Sequence, residues 1–295
     1  MGLNSEEKAR KRELEDNLFK ERPKEEKTDH LRWRVRPKEV LDFLRLAARS
    51  HNCLFQYTDL KALKGMLSNR KLWLTRATDL NDMKEFEGYR TPRNAYVASF
   101  TMTQRENMAM WWMYGLRGQE RPLQVPVRLQ FAAGGIQKVI ASAEKTVWTS
   151  NGKKELDVER VDFFDVLYQF SKRGENGASG RASSAAVAWD GKIANARRCP
   201  AAFNNAVAQF PGFVKEGGWD YERETRLVVY LKRPVAYNKI AIEFGPALDT
   251  MRVCTGPGIH AHEYPDRVLR ALERLHCQAE VEPSDYVVHF LKPKK

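Results

Sequence analysis

The sequence predicts an α+β fold: compact mixed sheet or sheets flanked by short helices, preceded by a charged helical leader. Three observations predict it. Short apolar stretches of strand length, such as LFQYT, KLWLTRA and AYVASFT, are bounded by polar turns. Helical apolar spacing recurs between them without the regular strand–helix alternation of a doubly wound sheet. The 295 residues contain 42% hydrophobic and 11% aromatic residues, enough for a sizeable core and too many for a disordered chain.

The elements follow in order. Residues 1–36 are dense in both charges, and NSEEKARKRELEDNLFKER reads as a solvated, partly disordered helix stopped by Pro23. A single domain is expected over 37–295. Val40, Leu41, Leu44 and Ala47 predict a helix over about Pro37–Ser50. LFQYT is a strand, and Thr58 or Asp59 caps the helix LKALKGMLSNR. KLWLTRA is a second strand, TDLNDMKEFEGY a polar loop, AYVASFTMT a third strand and ENMAMWWMYG a short helix. PLQVPVRLQF extends again. KELDVERVDFFDVLYQF reads as partly extended and partly helical, and the Gly/Ser/Ala-rich stretch near 172–186 as a flexible loop. ANARRCPAAFNNAVAQFPG is a helix candidate. KIAIEFGP, PDRVLRALERLHC and AEVEPSDYVVHFL supply a strand, an amphipathic helix and a final strand.

Composition excludes several classes. The N-terminus has no apolar core for a signal peptide, and no apolar run reaches membrane-spanning length, so a cytoplasmic protein without a membrane partner is expected. The four cysteines form no Cys-x-x-Cys pair, which leaves neither a zinc framework nor a disulfide framework indicated. His260 and His262 form a lone His-x-His in a Gly/Pro loop. The net charge of +12 is spread thinly along the chain, where a dedicated nucleic-acid binder concentrates it.

The stretch that asks for an explanation is WDYERETRLVVY, Trp219–Tyr230. Read as one strand, it places Glu222, Glu224 and Arg226 on one face, since side chains alternate. A surface salt-bridge ladder would account for that pattern. So would a catalytic carboxylate pair, with Arg226 pairing with either acid or meeting a phosphate.

Taken in order, LFQYTDLKALKGMLSNRKLWLTRATDLND, VASFTMTQRENMAMWWMYG, WDYERETRLVVY and IAIEFGP resemble the prokaryotic family named domain of unknown function 2971, over roughly Leu54–Pro246. A weaker resemblance is to the ADP-ribosyltransferases, whose compact α+β fold binds NAD between two small sheets. One branch of that superfamily carries an early Arg, a Ser-Thr-Ser strand and a later Glu-x-Glu. Arg76, Ser99-Phe100-Thr101 and Glu222-Arg223-Glu224 stand in that order here, with Phe100 in place of the middle Thr. Another branch opens with an aromatic strand, a Thr and a helix, as YTDLKALKGML does.

The resemblance implies an NAD-consuming enzyme of toxin or anti-phage defence type, with a protein or nucleic-acid target. Glu224 would stabilise the ribosyl cation and Glu222 orient the incoming nucleophile. Tyr57, Thr58, Arg76, Ser99 and Thr101 would contact NAD, together with Arg226 and, from the polar loop, Asn81 and Asp82. Trp112 would stack on a ring of the dinucleotide. Plain structural roles fit several of these residues as well: a helix cap for Thr58, a solvated strand position for Arg76, core packing for Trp111, Trp112 and Tyr114. Two other functions compete. In a metal-dependent nuclease, Asp82, Glu222 and Glu224 would gather around Mg²⁺. A non-enzymatic module would recruit a protein or nucleic acid through the charged leader and the Trp-rich helix.

Overall fold

The computed structural model describes residues 2–19, 37–80, 93–116, 124–149, 156–171, 184–195, 212–258 and 260–286. Helix α1 (Ser5–Phe19) precedes α2 (Pro37–Ser50), β1 (Cys53–Asp59), α3 (Leu60–Asn69), β2 (Lys71–Arg76) and β3 (Ala95–Thr101). A helical turn α4 (Met108–Met110) runs into a wider π-turn, Trp111–Gly115, and β4 (Pro126–Ala132) and α5 (Ala133–Ala143) follow. Next come β5 (Val147–Thr149), β6 (Val158–Asp165), β7 (Leu167–Ser171), β8 (Ser184–Trp189), β9 (Lys192–Asn195) and β10 (Val214–Glu216). The remainder is β11 (Glu224–Leu231), β12 (Lys239–Glu243), α6 (Gly245–Leu248), β13 (Arg252–Thr255), α7 (Tyr264–Arg274) and β14 (Glu280–Pro283).

Ten strands form one mixed sheet, in the order β14-β13-β4-β1-β3-β2-β12-β5, with β11 between β3 and β6. The β13–β14 pair is parallel and its neighbours are antiparallel. A second sheet, β10-β7-β8-β9, packs beside it. The expected α+β class, with helices flanking mixed sheets, is what the chain adopts.

The core divides across the large sheet. On one face Leu227, Val229 and Leu231 of β11 join Phe100, Phe131, Ile242 and Phe244 in the main cluster. On the other, Val228 and Tyr230 join Val97, Phe164 and the apolar side of α2. Alternation along β11 thus fills both faces, as an interior strand requires.

Several expectations need correction. Helix α1 is not simply solvated: Leu14 and Leu18 are buried against α2, and Phe19 packs on Phe43 and Trp189. Residues 158–171 are extended throughout rather than partly helical, because β6 and β7 both find strand partners. Ser184–Ala186, expected in a loop, belong to β8. The final strand stops at Pro283, where the chain turns to meet Glu106. Helix α5 was not read from the sequence as a separate element.

The feature that positions the site is a split beside β3. On one side β3 pairs with β11 along its whole length, Glu224 opposite Thr101 through Tyr230 opposite Ala95. On the other side it pairs with β2 only at Tyr96 and Val97, and with β1 only at Thr101. Between those contacts β1 and β2 diverge, and a cleft opens.

Candidate active site

That cleft, of about 230 Å³, is lined by Phe55, Gln56 and Tyr57 of β1, Trp73 and Thr75 of β2, and Val97 to Thr101 of β3. Leu80, Met110, Tyr114, Glu222 and Glu224 complete it. Its walls are aromatic and its floor is acidic.

The floor differs from the expected continuous strand. Glu222 ends a 3₁₀ turn, Gly217–Glu222, and β11 begins only at Glu224. Arg223 between them takes a left-handed backbone, φ 42°, a conformation uncommon for a residue other than glycine. The kink breaks simple alternation, yet both carboxylates still converge on one cation. Lys215 Nζ, delivered from β10 of the second sheet, lies 2.6 Å from Glu222 Oε2 and 3.5 Å from Glu224 Oε2.

Arg226 is where alternation places it, on the Glu224 face, and grips that carboxylate with two hydrogen bonds of 2.7 and 2.9 Å. Its third nitrogen donates to the Gly212 carbonyl at 2.8 Å. The backbone N–H of Glu224 donates to the Tyr168 hydroxyl at 2.7 Å, and the Ser99 hydroxyl also bonds its carboxylate. Glu222 receives the Tyr114 hydroxyl on Oε1 at 2.6 Å.

Glu222, Glu224 and Arg226 are 2%, 4% and 2% exposed. A surface salt-bridge ladder is therefore ruled out. These are desolvated charges, costly to bury unless paired and hydrogen-bonded, and the sequence provides two cations for the two anions.

The two acids differ in proton affinity. Burial opposes ionisation of Glu224, but Arg226 and Lys215 more than offset it and hold the carboxyl down at about 2. For Glu222, burial and the neighbouring Glu224 outweigh Lys215 and push the carboxyl up. One acid is thus a fixed anion and the other can take a proton, a separation typical of paired catalytic carboxylates.

A pH prediction follows. A carboxylate depressed in the fold stabilises it above its unfolded pKa, and that stability is lost as pH falls through the folded value. Glu224 falls from 4.5 to about 2, so its contribution, on the order of 3 kcal/mol, disappears across that window. Glu222 has the opposite sign, contributing at low pH and losing its contribution as pH rises through its raised value. Thermal melts between pH 5 and 2 are expected to fall more steeply for the native chain than for Glu224→Gln. Parallel curves would contradict the pairing.

The other expected site residues distribute as follows. Tyr57 lines the cleft; its hydroxyl accepts from the Asn107 N–H at 3.0 Å and its ring meets Trp111 edge-on at 4.8 Å. Burial pushes that phenol up to about 12, so it stays neutral. Ser99 and Thr101 line the cleft beside the acids, as their register opposite Arg226 and Glu224 requires.

Thr58, Arg76 and Trp112 are not among the lining residues. Thr58 pairs with Val127, and Asp59 rather than Thr58 caps α3. Arg76 donates to the carbonyls of Val235 and Tyr237. Trp112 is 69% exposed, while Trp111 is the fully buried member of the pair. Asn81 and Asp82 lie outside the described residues, as do 172–183 of the expected loop.

Sequence reasoning missed Lys215, Gln56 and the role of Tyr114 towards Glu222. Lys215 carries no local signal, because its partners lie on another sheet. Gln56 alternates with Phe55 and Tyr57 as an ordinary strand residue; its Oε1 is buried without a hydrogen-bond partner. For Tyr114 the helical spacing suggested core packing, not a hydroxyl on Glu222.

No family model matches the chain, so membership of domain of unknown function 2971 has no support from that comparison, and no curated protein matches it. Among solved structures, the chain is similar to Thermus sp. 2.9 DarT in complex with ADP-ribosylated ssDNA, at 12% identity and a TM-score of 0.35, over 80% of this chain and 96% of that one. The same protein in complex with NAD+ gives 12% identity and a TM-score of 0.34, over 80% and 97%. Its complex with carba-NAD+ gives 11% and 0.33, over 79% and 95%. Likeness at this level is too loose to carry a residue or a ligand across.

Proposed function

We propose that the chain is an NAD-consuming, ADP-ribosyltransferase-like enzyme whose chemistry sits in the β1–β2–β3 cleft. One observation carries the reading: a permanently ionised carboxylate, Glu224, beside a carboxyl of raised proton affinity, Glu222, at the floor of an aromatic-walled cleft. The toxin or defence setting comes from the sequence resemblance alone.

The cleft fits the nicotinamide-riboside end of NAD. Tyr57 and Trp73 supply ring faces and edges for a planar cationic ring above an anionic floor. The unpartnered Gln56 Oε1 is an acceptor suited to a carboxamide N–H. No Lys or Arg lines the cleft among the described residues, and about 230 Å³ is small beside the roughly 300–1,000 Å³ of sites that enclose whole drug-sized ligands. The pyrophosphate and adenosine therefore extend beyond it.

In this reading Glu224 is the electrostatic partner of the positive charge that develops on the ribose. Arg226 fixes its orientation, and a group held in place needs no rearrangement as that charge appears. Glu222 is the base for an acceptor hydroxyl, with Lys215 on its far oxygen holding it for that role.

The nuclease alternative meets a specific obstacle. Lys215 and Arg226 already occupy the facing oxygens of both acids, so a divalent ion would have to displace resident cations. The two readings are separated by incubating the protein with NAD, with and without excess chelator. Nicotinamide release that survives chelation is expected. No release and no NAD binding, with metal-dependent cleavage of RNA or plasmid instead, would overturn the proposal.

A further inference from the structure

We infer that Tyr114 is a self-modification site: its phenol oxygen is the acceptor that Glu222 activates when no external target is present, so that the enzyme ADP-ribosylates itself at the mouth of its own cleft. The inference rests on the NAD-consuming reading above and adds the acceptor to it.

The geometry is that of a nucleophile on its base. The Tyr114 hydroxyl donates to Glu222 Oε1 at 2.6 Å, and both residues line the cleft, inside the reach required of such a pair. Lys215 occupies the other Glu222 oxygen. Oε1 is therefore the seat that an incoming acceptor hydroxyl would need, and Tyr114 already holds it.

Three of the four other hydroxyl side chains lining the cleft have partners of their own, and the fourth, Thr75, stands on β2. Ser99 bonds Glu224, whose two oxygens are gripped by Arg226 and which is the poorer base. Thr101 Oγ1 accepts from the Thr103 N–H, and Tyr57 from the Asn107 N–H. Burial and Glu222 together keep the Tyr114 phenol protonated in the resting site, so its proton has to leave as the bond forms.

Tyr114 is held where it stands. The π-turn that carries it is anchored by Trp111, fully buried, whose indole N–H donates to Glu106 at 2.9 Å. Asn107 caps the preceding turn and reaches the Tyr221 carbonyl, one residue before Glu222. Helical segments widened to π geometry are frequent at functional positions. Tyr114 nevertheless remains 37% exposed, which leaves room for a bulky adduct to project outwards.

The step balances. The Tyr114 O–H proton passes to Glu222 Oε1, and the oxygen forms a bond to the anomeric carbon of the nicotinamide-bearing ribose. The carbon–nitrogen bond to nicotinamide breaks, its electron pair leaving with the ring, which departs neutral. Products are an ADP-ribosyl O-glycoside of Tyr114, free nicotinamide and one proton held by Glu222. The adduct removes the hydroxyl donor and fills the cleft mouth, so the reaction limits itself.

The test uses the full chain incubated with NAD and no added target, followed by trypsin and tandem mass spectrometry. Cleavage after Arg105 and Arg117 gives the peptide ENMAMWWMYGLR, in which Tyr114 is the sole hydroxyl. One ADP-ribosyl group on Tyr114 is expected, absent from Tyr114→Phe and formed about a hundredfold more slowly in Glu222→Gln, the loss usual for a removed general base. Nicotinamide release with this peptide unmodified, or modified equally in Tyr114→Phe, would overturn the inference and leave the NAD reading intact. Failure to bind NAD or release nicotinamide would overturn both.

Discussion

Glu224→Gln is expected to slow nicotinamide release by about a hundredfold or more while NAD affinity changes little. The glutamine keeps the shape and one acceptor oxygen, so contacts made with bound NAD survive. What it lacks is the charge that meets the ribosyl cation, and an interaction present only in the transition state appears in the rate and not in binding. The magnitude matches removal of one preorganised electrostatic group. Because Glu224 is buried between Arg226 and Lys215, the variant also unfolds more easily, and rates must be read well below its melting temperature. Glu222→Gln is expected to spare NAD hydrolysis more and to impair transfer to an acceptor more. Steady-state nicotinamide assays beside calorimetric NAD titrations check both. A Glu224→Gln protein with native turnover would remove Glu224 from the chemistry.

Arg226→Met is expected to cost about 3–5 kcal/mol of stability, the range for removing one partner of a buried ion pair. The methionine fills much of the same space, so the loss reports the uncompensated Glu224 carboxylate and not a cavity. Three of the hydrogen bonds that hold the site together go with it, two to Glu224 and one to Gly212. In Arg226→Met the Glu224 carboxyl rises from about 2 towards or above its ordinary value, and the double variant Arg226→Met/Glu224→Gln recovers a large part of the loss. Chemical denaturation of the three proteins gives the coupling directly. A single variant within about 0.5 kcal/mol of native would mean that the pair is solvated, against its 2% and 4% exposure.

How much of this was legible in the sequence depends on whether the signal was local. Strands β1, β2, β3 and β11 and helices α2, α3 and α7 show as apolar patterns of the right period, because each buries a face of its own residues. Glu224 and Arg226 could be grouped for the same reason, because alternation puts them on one face; Ser99 and Thr101 were grouped with them only by the resemblance, and the antiparallel register then sets them opposite. The kink at Arg223 was not visible, since a left-handed residue other than glycine leaves no mark in composition.

Lys215 was not visible either. It approaches Glu222 and Glu224 from β10 of the second sheet, and no spacing rule links residues joined only by packing. Arg76 and Thr58 were placed in the site on motif order alone. The structure gives Arg76 to the carbonyls of Val235 and Tyr237, a use of arginine that only tertiary contacts reveal. The Met/Trp turn shows both outcomes at once. Trp111 went to the core and Trp112 to the surface, because consecutive helical residues point about 100° apart and only one of the two can face the core.

The most direct test of the central claim is a crystal structure of the Glu224→Gln protein with NAD bound. The account predicts the nicotinamide ring against Tyr57, its carboxamide within hydrogen-bonding distance of Gln56, and the attached ribose above residue 224 with the Tyr114 hydroxyl on the side of its anomeric carbon away from the nicotinamide, the pyrophosphate lying outside the cleft. NAD bound elsewhere on the chain, with Glu222 and Lys215 still paired beneath an empty cleft, would contradict it.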